Sequence, residues 1–223
     1  MSSSAQLSLL PWLLRWQPVE DGTTFAAGLH AGSSIGVGLA LRPHLRRADL
    51  GRVLLTSVPA GVAGVVAQDV VEERLGRPGP TAALLAGAGV LMWLADRRPQ
   101  DGSIGTREAA AASIAQVLAL APGVSRSGAA LTALRLQRVP REEALRFSML
   151  MSLPVTVGAG VLTAGRARRA PSLGPSALAA AAAYAAGRAI ERSGFRVVSA
   201  AAAYRLAVAA AVARRLHESK GTV

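Results

Sequence analysis

The sequence contains no cysteine and has few aromatic or charged residues. None of its 223 residues is Cys, 4% are Phe, Trp or Tyr, and 17% are Asp, Glu, Lys or Arg. The absence of cysteine excludes disulfides, thiolate metal sites and a cysteine nucleophile. Because 51% of the residues are nevertheless hydrophobic, the shortage of charge favours helices that lie in lipid.

The charged residues that are present lie in short clusters. Uncharged stretches of roughly 14 to 20 residues separate these clusters, and this is about the length of a bilayer-spanning helix. A soluble helix would instead carry a charged stripe along its length. The mean hydropathy is only +0.35, because much of the apolar content is alanine. A soluble basic helical protein therefore stays an alternative, which predicts extraction without detergent.

The net charge is strongly positive, with 25 Lys and Arg against 13 Asp and Glu. No basic stripe with interleaved aromatic residues and no known nucleic-acid motif accompanies it. The charge balance therefore indicates a basic protein among anionic membrane lipids rather than a partner of nucleic acid.

The pattern predicts an all-α, polytopic membrane helical bundle with about six transmembrane spans plus a re-entrant helical hairpin. Two short apolar pieces, 109–121 and 128–134, flank a break at Pro122-Gly123, and half-length helices of this kind are typical of a re-entrant hairpin. The polar stretches predict a connection at 69–77 and an exposed, turn-rich loop at 96–102. The predicted spans are 23–41, 53–67, 81–95, 145–164, 175–186 and 197–213.

We predict three parts in the chain: an interfacial N-terminal segment (1–22), a single integral membrane domain (23–213) and a polar C-terminal tail (214–223). In the first span Gly28, Gly32 and Gly36 recur every four residues. Small residues on one helical face allow another membrane helix to approach closely.

Residues 122–128, Pro-Gly-Val-Ser-Arg-Ser-Gly, carry the candidate chemistry. Gly123 lets the backbone approach a ligand closely. The N–H groups of residues 126–129, that of Gly128 included, should point out of a helix N-terminus, which favours an anion. Arg126 can hold two phosphate oxygens in a fork, and Ser125 and Ser127 add hydroxyl groups. The segment therefore predicts a diphosphate-binding site.

A simpler interpretation of the same segment is structural. Ser127 would cap the following helix, and Arg126 would pair with a nearby acid or extend to the membrane interface. Taken alone, the segment leaves both interpretations open, because a Gly/Ser/Arg turn is a weak signal, although an arginine at membrane depth needs an anion or a carboxylate to offset the cost of its burial.

The run Ala115-Gln-Val-Leu-Ala-Leu-Ala-Pro-Gly-Val-Ser-Arg-Ser-Gly-Ala129 closely resembles the signature of the undecaprenyl-diphosphatase (bacitracin-resistance) family. Further segments resemble other helices of that family, so the resemblance covers about residues 23–213. These segments are Phe25 with Leu29-His-Ala-Gly-Ser33, Val58-Pro-Ala-Gly-Val-Ala-Gly64, Arg141 to Pro154, and Tyr204-Arg205.

The chain departs from the family at its N-terminal side. Members carry a glutamate pair four residues apart and a Ser-Ser-Thr-Gly-His element, which are thought to supply metal-binding carboxylates and a catalytic histidine. Neither element is found here, and Glu20 is a poor substitute because no such element follows it. The sequence is therefore expected to be an N-terminally shortened member, or one whose true start lies upstream. The family motif also usually has threonine where this chain has Ala130.

The resemblance implies hydrolysis of undecaprenyl diphosphate to undecaprenyl phosphate and inorganic phosphate in the bacterial cell membrane. This reaction recycles the lipid carrier for cell-wall synthesis and confers bacitracin resistance. Ser125, Arg126 and Ser127 would be catalytic, and Gly123, Arg126 and Gly128 would bind the phosphates. A serine hydroxyl or a metal-held water would attack, and the implied Mg²⁺ or Ca²⁺ has no identified ligands. The expected partners are the polyprenyl diphosphate and membrane lipids. The sequence does not determine the oligomeric state, and a homo-oligomer is one of the possibilities.

The missing carboxylates keep a second function open, a non-catalytic polyprenyl-phosphate binder or transporter.

Four further sites have a structural interpretation beside a functional one. We expect His30 to be a packed or pore-facing polar residue and Gln116 to hydrogen-bond the backbone of the hairpin. The pair Glu142-Glu143 could reach Arg126 but is more simply the acidic first turn of a helix. Arg205 fits a pairing with a helix C-terminus as well as it fits a functional role.

Overall fold

The computed structural model describes residues 3–17, 22–45, 49–166, 172–192 and 197–220. These ranges contain ten α-helices and no strand. The helices are α1 (Ser3–Leu14), α2 (Gly22–Ala40), α3 (Arg42–Leu45), α4 (Leu50–Leu75), α5 (Pro78–Asp96), α6 (Thr106–Leu118), α7 (Arg126–Leu136), α8 (Arg141–Arg166), α9 (Leu173–Arg192) and α10 (Val197–Lys220). Glu20 lies outside the described residues.

The six longest helices correspond to the six predicted spans, and the two short helices α6 and α7 form the predicted hairpin. In the described ranges, three segments are both long and apolar enough to cross a membrane: Leu50–Leu75, Pro78–Asp96 and Arg141–Gly165. The prediction of a helical membrane bundle is confirmed.

The predicted connection at 69–77 is mostly helical, so its assignment as a connection was wrong, and the polar residues 214–220 also continue a helix. The helix α4 continues through most of the segment 69–77 and ends only at Leu75, before Gly76. The helix α10 likewise continues to Lys220. Glu, Arg and Lys end an apolar stretch but favour a helix. Charge therefore marked the end of the apolar stretch rather than the end of the helix.

Helices α2 and α9 pack with their backbones in contact. A Cβ atom at Gly32 or Gly36 would collide with the carbonyl oxygens of Ser176 and Ala180 respectively. Between lipid-facing helices, close backbone packing of this kind is a main source of association. The prediction that small residues on this face admit another helix is confirmed for Gly32 and Gly36.

Buried hydroxyl groups join α4 to its neighbours. Ser113 of α6 donates a hydrogen bond of 2.7 Å to the carbonyl of Thr56, and Ser57 donates one of 2.9 Å to the carbonyl of Met151 in α8. These bonds hold the first leg of the hairpin against α4 and place α8 beside it.

A buried arginine closes the base of the hairpin. Arg135, near the end of α7, is 1% exposed and donates to the carbonyls of four residues. The acceptors are Asp96, Arg98, Pro99 and Val139. The carboxylate of Asp96 lies 3.8 Å from its Nε atom and 2.5 Å from Nε of Arg141. The predicted loop at 96–102 is thus anchored at its start, where Asp96 is buried rather than exposed.

Candidate active site

The tip of the hairpin contains a glycine that no other residue can replace without strain. Gly123 has φ of +98°, in the left-handed region that L side chains rarely adopt. A Cβ atom there would also lie 2.6 Å from the carbonyl oxygen of Thr81 and 3.0 Å from the nitrogen of Leu85. The tip therefore packs directly against the backbone of α5.

Ser125 caps the second leg. Its backbone is extended (φ −78°, ψ 134°), and its Oγ accepts from the N–H of Gly128 at 3.3 Å. This corrects two predictions. Ser125 and not Ser127 caps α7, because the helix begins at Arg126, two residues before its apolar pattern begins. The N–H groups of Gly128 and Ala129 are also already bonded, to Oγ and the carbonyl of Ser125, so only those of Arg126 and Ser127 stay available to a ligand.

Arg126 is the first residue of α7 and lines a cavity. Within the described ranges its guanidinium makes no hydrogen bond and no ion pair. The alternative in which Arg126 pairs with a nearby acid is therefore wrong for these ranges. Glu142 instead pairs with Arg146, and Glu142 and Glu143 form the acidic first turn of α8. Ser127 lies beside Arg126 with its Oγ 3.4 Å from that of Ser125.

Arg205 of α10 approaches the same tip from behind. It is 2% exposed, and its Nη2 atom fills the space where a side chain at residue 128 would begin. In the part of the chain that the structure describes, it has no hydrogen-bonding or acidic partner. The expected alternative, pairing with a helix C-terminus, is wrong, because Arg205 lies at the N-terminal end of α7. Only the long-range packing of α10 on the hairpin reveals this position.

The cavity has a volume of about 880 Å³ and lies between the hairpin and helices α2, α4 and α8. The three candidate catalytic residues all line it. Most other hydroxyl groups in its wall are bonded within their own helices, as are those of Ser33, Ser34, Ser152 and Thr156. Its remaining wall is largely apolar and includes Leu54, Val58, Val65, Leu120, Val161 and Leu162.

Two further polar side chains of the wall have unsatisfied atoms. Nδ1 of His30 is buried and has no described partner, and its imidazole lies within electrostatic range of Arg126. His30 is therefore a cavity residue, one of the two outcomes predicted for it. Gln116 is 1% exposed, and neither atom of its amide has a partner among the described residues. The prediction that it hydrogen-bonds the hairpin backbone was therefore wrong; the residue forms part of the cavity wall.

A metal site made of protein ligands alone does not fit the described residues. No group of three or more His, Asp or Glu side chains occurs among them, and Glu72 is the only carboxylate residue in the cavity wall that these ranges contain. Mg²⁺ often uses only one or two carboxylates together with substrate phosphates and water. A metal here would depend on the substrate for most of its ligands.

The cavity thus combines Arg126 and Ser127 at a helix N-terminus with a largely apolar wall. Sequence comparisons give the family of the chain. The model of the family "Bacitracin resistance protein BacA" matches residues 1–211. The chain belongs to this family. The match includes α1, which lies outside the resemblance drawn from the motifs above.

Curated relatives in the family carry the name undecaprenyl-diphosphatase. The protein of Geobacter sulfurreducens is 37% identical over 192 residues, which cover 76% of this chain and 71% of the relative. The protein of Geobacter metallireducens is 35% identical over 188 residues, covering 74% and 69%. The protein of Thermomicrobium roseum is 37% identical over 193 residues, covering 73% and 69%.

Proposed function

We propose that the protein hydrolyses undecaprenyl diphosphate to undecaprenyl phosphate and inorganic phosphate. The observation that carries this proposal is Arg126, which lies at the N-terminus of α7, lines the cavity and has no partner among the described residues. A partly buried cation at a helix N-terminus, with no described acid beside it, needs an anion. The name undecaprenyl-diphosphatase of several relatives supports the choice of anion.

The proposed roles follow from the placement of the side chains. Arg126 grips the phosphoryl oxygens as a fork, and the N–H groups of Arg126 and Ser127 point at the same anion. Ser127 adds a hydroxyl, whereas Ser125 holds the helix N-terminus in place through Gly128. Gly123 and Gly128 do not line the cavity; their missing side chains let α5 and Arg205 pack against the back of the tip, so their proposed part in phosphate binding is indirect.

The reaction adds one water across the anhydride. The water oxygen bonds to the terminal phosphorus as the bond from that phosphorus to the bridging oxygen breaks. The bridging oxygen stays on the undecaprenyl phosphate, one water proton stays on the inorganic phosphate, and the other is released at neutral pH. Arg126 neutralises charge on the group being transferred.

The apolar wall of the cavity suits the polyprenyl tail. Helices α4 and α8 both contribute aliphatic residues to the wall, and both also carry aliphatic residues on their exposed faces. The tail would leave the cavity between them and remain in the bilayer. We propose the bacterial cell membrane as the location, and lipid-carrier recycling for cell-wall synthesis, with bacitracin resistance as its consequence.

The direct test is phosphate release from undecaprenyl diphosphate by the detergent-purified chain. Release should be measured with Mg²⁺, with Ca²⁺ and with chelator, beside Arg126→Ala. We propose that a divalent metal assists and is held largely by the diphosphate, which predicts release that chelator abolishes. Release that chelator leaves unchanged would overturn the metal proposal alone. A wild-type chain that releases no phosphate under any of these conditions would overturn the proposed function.

A further inference from the structure

Gln116 lies on the first leg of the hairpin, and Arg126 lies on the second. Gln116 belongs to α6, two residues before that helix ends at Leu118, and it lines the cavity together with Arg126 and Ser127. The two legs therefore contribute a glutamine and an arginine to the same cavity wall.

The amide of Gln116 is unsatisfied on both sides. The side chain is 1% exposed, and among the described residues neither Nε2 nor Oε1 has a partner. Buried polar groups are nearly always hydrogen-bonded, so each exception requires an explanation. An apolar side chain of the same size would fit this position at lower cost, which indicates that the amide serves a ligand.

The neighbouring polar groups restrict what that ligand can be. Most hydroxyl groups around the cavity, such as those of Ser33 and Ser34, donate within their own helices, whereas Arg126 and Nδ1 of His30 have no described partner. A ligand that fills the site must accept from Arg126 and satisfy both a donor and an acceptor at Gln116. Phosphoryl oxygens accept only, so the carbonyl of Gln116 needs a separate donor, and water is the donor that hydrolysis consumes.

We propose that Gln116 is a further residue of the reaction centre, with its N–H donating to a phosphoryl oxygen and its carbonyl accepting from the attacking water. This inference rests on the proposed function. Gln116 takes no proton, because an amide is not a base; it orients the water toward the terminal phosphorus. His30 of α2 lines the same cavity.

The test is Gln116→Met, which keeps the length of the side chain and removes both polar atoms. Removing an unsatisfied buried amide should raise the thermal unfolding temperature by about 2–4 °C. Losing the water contact should lower kcat by about 10²-fold, with a smaller change in KM. A structural glutamine would show the opposite combination, lower stability with unchanged kcat per folded molecule.

Gln137→Met is the matched control. Gln137 lies at the C-terminal end of α7, outside the cavity wall, and its amide donates to the carbonyl of Ala133 at 3.2 Å. The same chemical change there should lower the unfolding temperature slightly and leave kcat unchanged. A Gln116→Met protein with kcat within threefold of wild type would overturn the inference.

A second readout separates this inference from the proposed function. Undecaprenyl diphosphate should raise the unfolding temperature of the wild-type chain, and the rise should shrink in Gln116→Met. If wild type binds without hydrolysis, the proposed function fails, and an equal shift in both proteins would then also overturn the role of Gln116. If wild type neither binds nor hydrolyses, both fail together.

Discussion

The two ends of the α6–α7 hairpin differ in the number of hydrogen-bond acceptors that surround an arginine. At the base, Arg135 is 1% exposed and is surrounded by four carbonyl acceptors and the carboxylate of Asp96. At the tip, Arg205 is 2% exposed and Arg126 lines the cavity, and neither has a partner within the described ranges. Burial alone therefore does not separate Arg135 from Arg205, whereas the presence or absence of described acceptors around the guanidinium does.

The largest effect is expected from Arg126→Met at the tip. Activity should fall about 10³-fold, because the guanidinium stabilises charge that develops on the transferred phosphoryl group. Stability should be unchanged or higher, since no described contact is lost. Steady-state kinetics and thermal unfolding of the purified protein test this. A lower unfolding temperature with retained kcat/KM would reverse the assignment of this end of the hairpin.

Arg135→Met at the base should show the reverse pattern. Removing its donors leaves buried carbonyls without partners, so the free energy of unfolding should fall by about 3–5 kcal/mol. Activity per folded molecule should persist at low temperature. Arg138→Met is the control, because its pair with Asp101 is about half exposed and contributes only about 0–1 kcal/mol. Equal losses in the two variants would show that the carbonyl cage contributes nothing.

Gly123→Ala tests whether the tip must follow the backbone of α5 so closely. The positive φ and the contact with Thr81 should lower the free energy of unfolding by about 1–3 kcal/mol and reduce activity as the tip shifts. Gly87→Ala in α5 is the comparison, because a Cβ atom there meets nothing within 4 Å and should stabilise by up to about 1 kcal/mol. Equal free energies of unfolding and equal activities in the two variants would mean that the tip can accommodate a side chain at residue 123 without strain.

The smallest effect is expected at Arg205, which reaches the tip from behind Gly128 and does not line the cavity. Arg205→Met should weaken binding of the diphosphate about tenfold through loss of its charge, and Arg205→Lys should recover most of that loss. Titration of the lipid against unfolding temperature measures both. Equal affinity of wild type and Arg205→Met for the diphosphate would show that Arg205 takes no part in anion binding and that the hairpin alone supplies the site.

Much of the fold could be predicted from the sequence because lipid imposes a strong pattern. Uncharged stretches located all six long helices, and the break at Pro122-Gly123 located the hairpin. The ends were less predictable, because Glu72, Arg74 and the residues after Arg214 are polar yet propagate α4 and α10. The pattern records where the apolar stretches end, whereas the backbone continues until a residue such as Gly76 stops it.

The site was predictable where one short segment supplies it. The motif placed Arg126 and Ser127 at a helix N-terminus, which the structure contains. Sequence reasoning missed the role of Ser125 as the cap. A shift of two residues in the start of α7 decides which of the two serines is the N-cap. It also misjudged Gln116 and Arg205, because contacts between elements far apart in the chain determine whether a buried polar atom finds a partner. The pairing of Gln116 cannot be read from its neighbours in sequence.

The contact between α2 and α9 has a mechanical consequence for the cavity. Where Gly32 and Gly36 bring backbone against backbone, no layer of side chains remains that could shift or change rotamer, so this wall is stiff. The opposite wall is α4, which contains Pro59 and also Gly61, where a Cβ atom would meet nothing within 4 Å. A proline inside a helix removes a backbone hydrogen bond. Helix α8, which also lines the cavity, contains Pro154, so under the proposed function we expect α4 and α8, rather than α2, to bend when a long lipid enters or leaves.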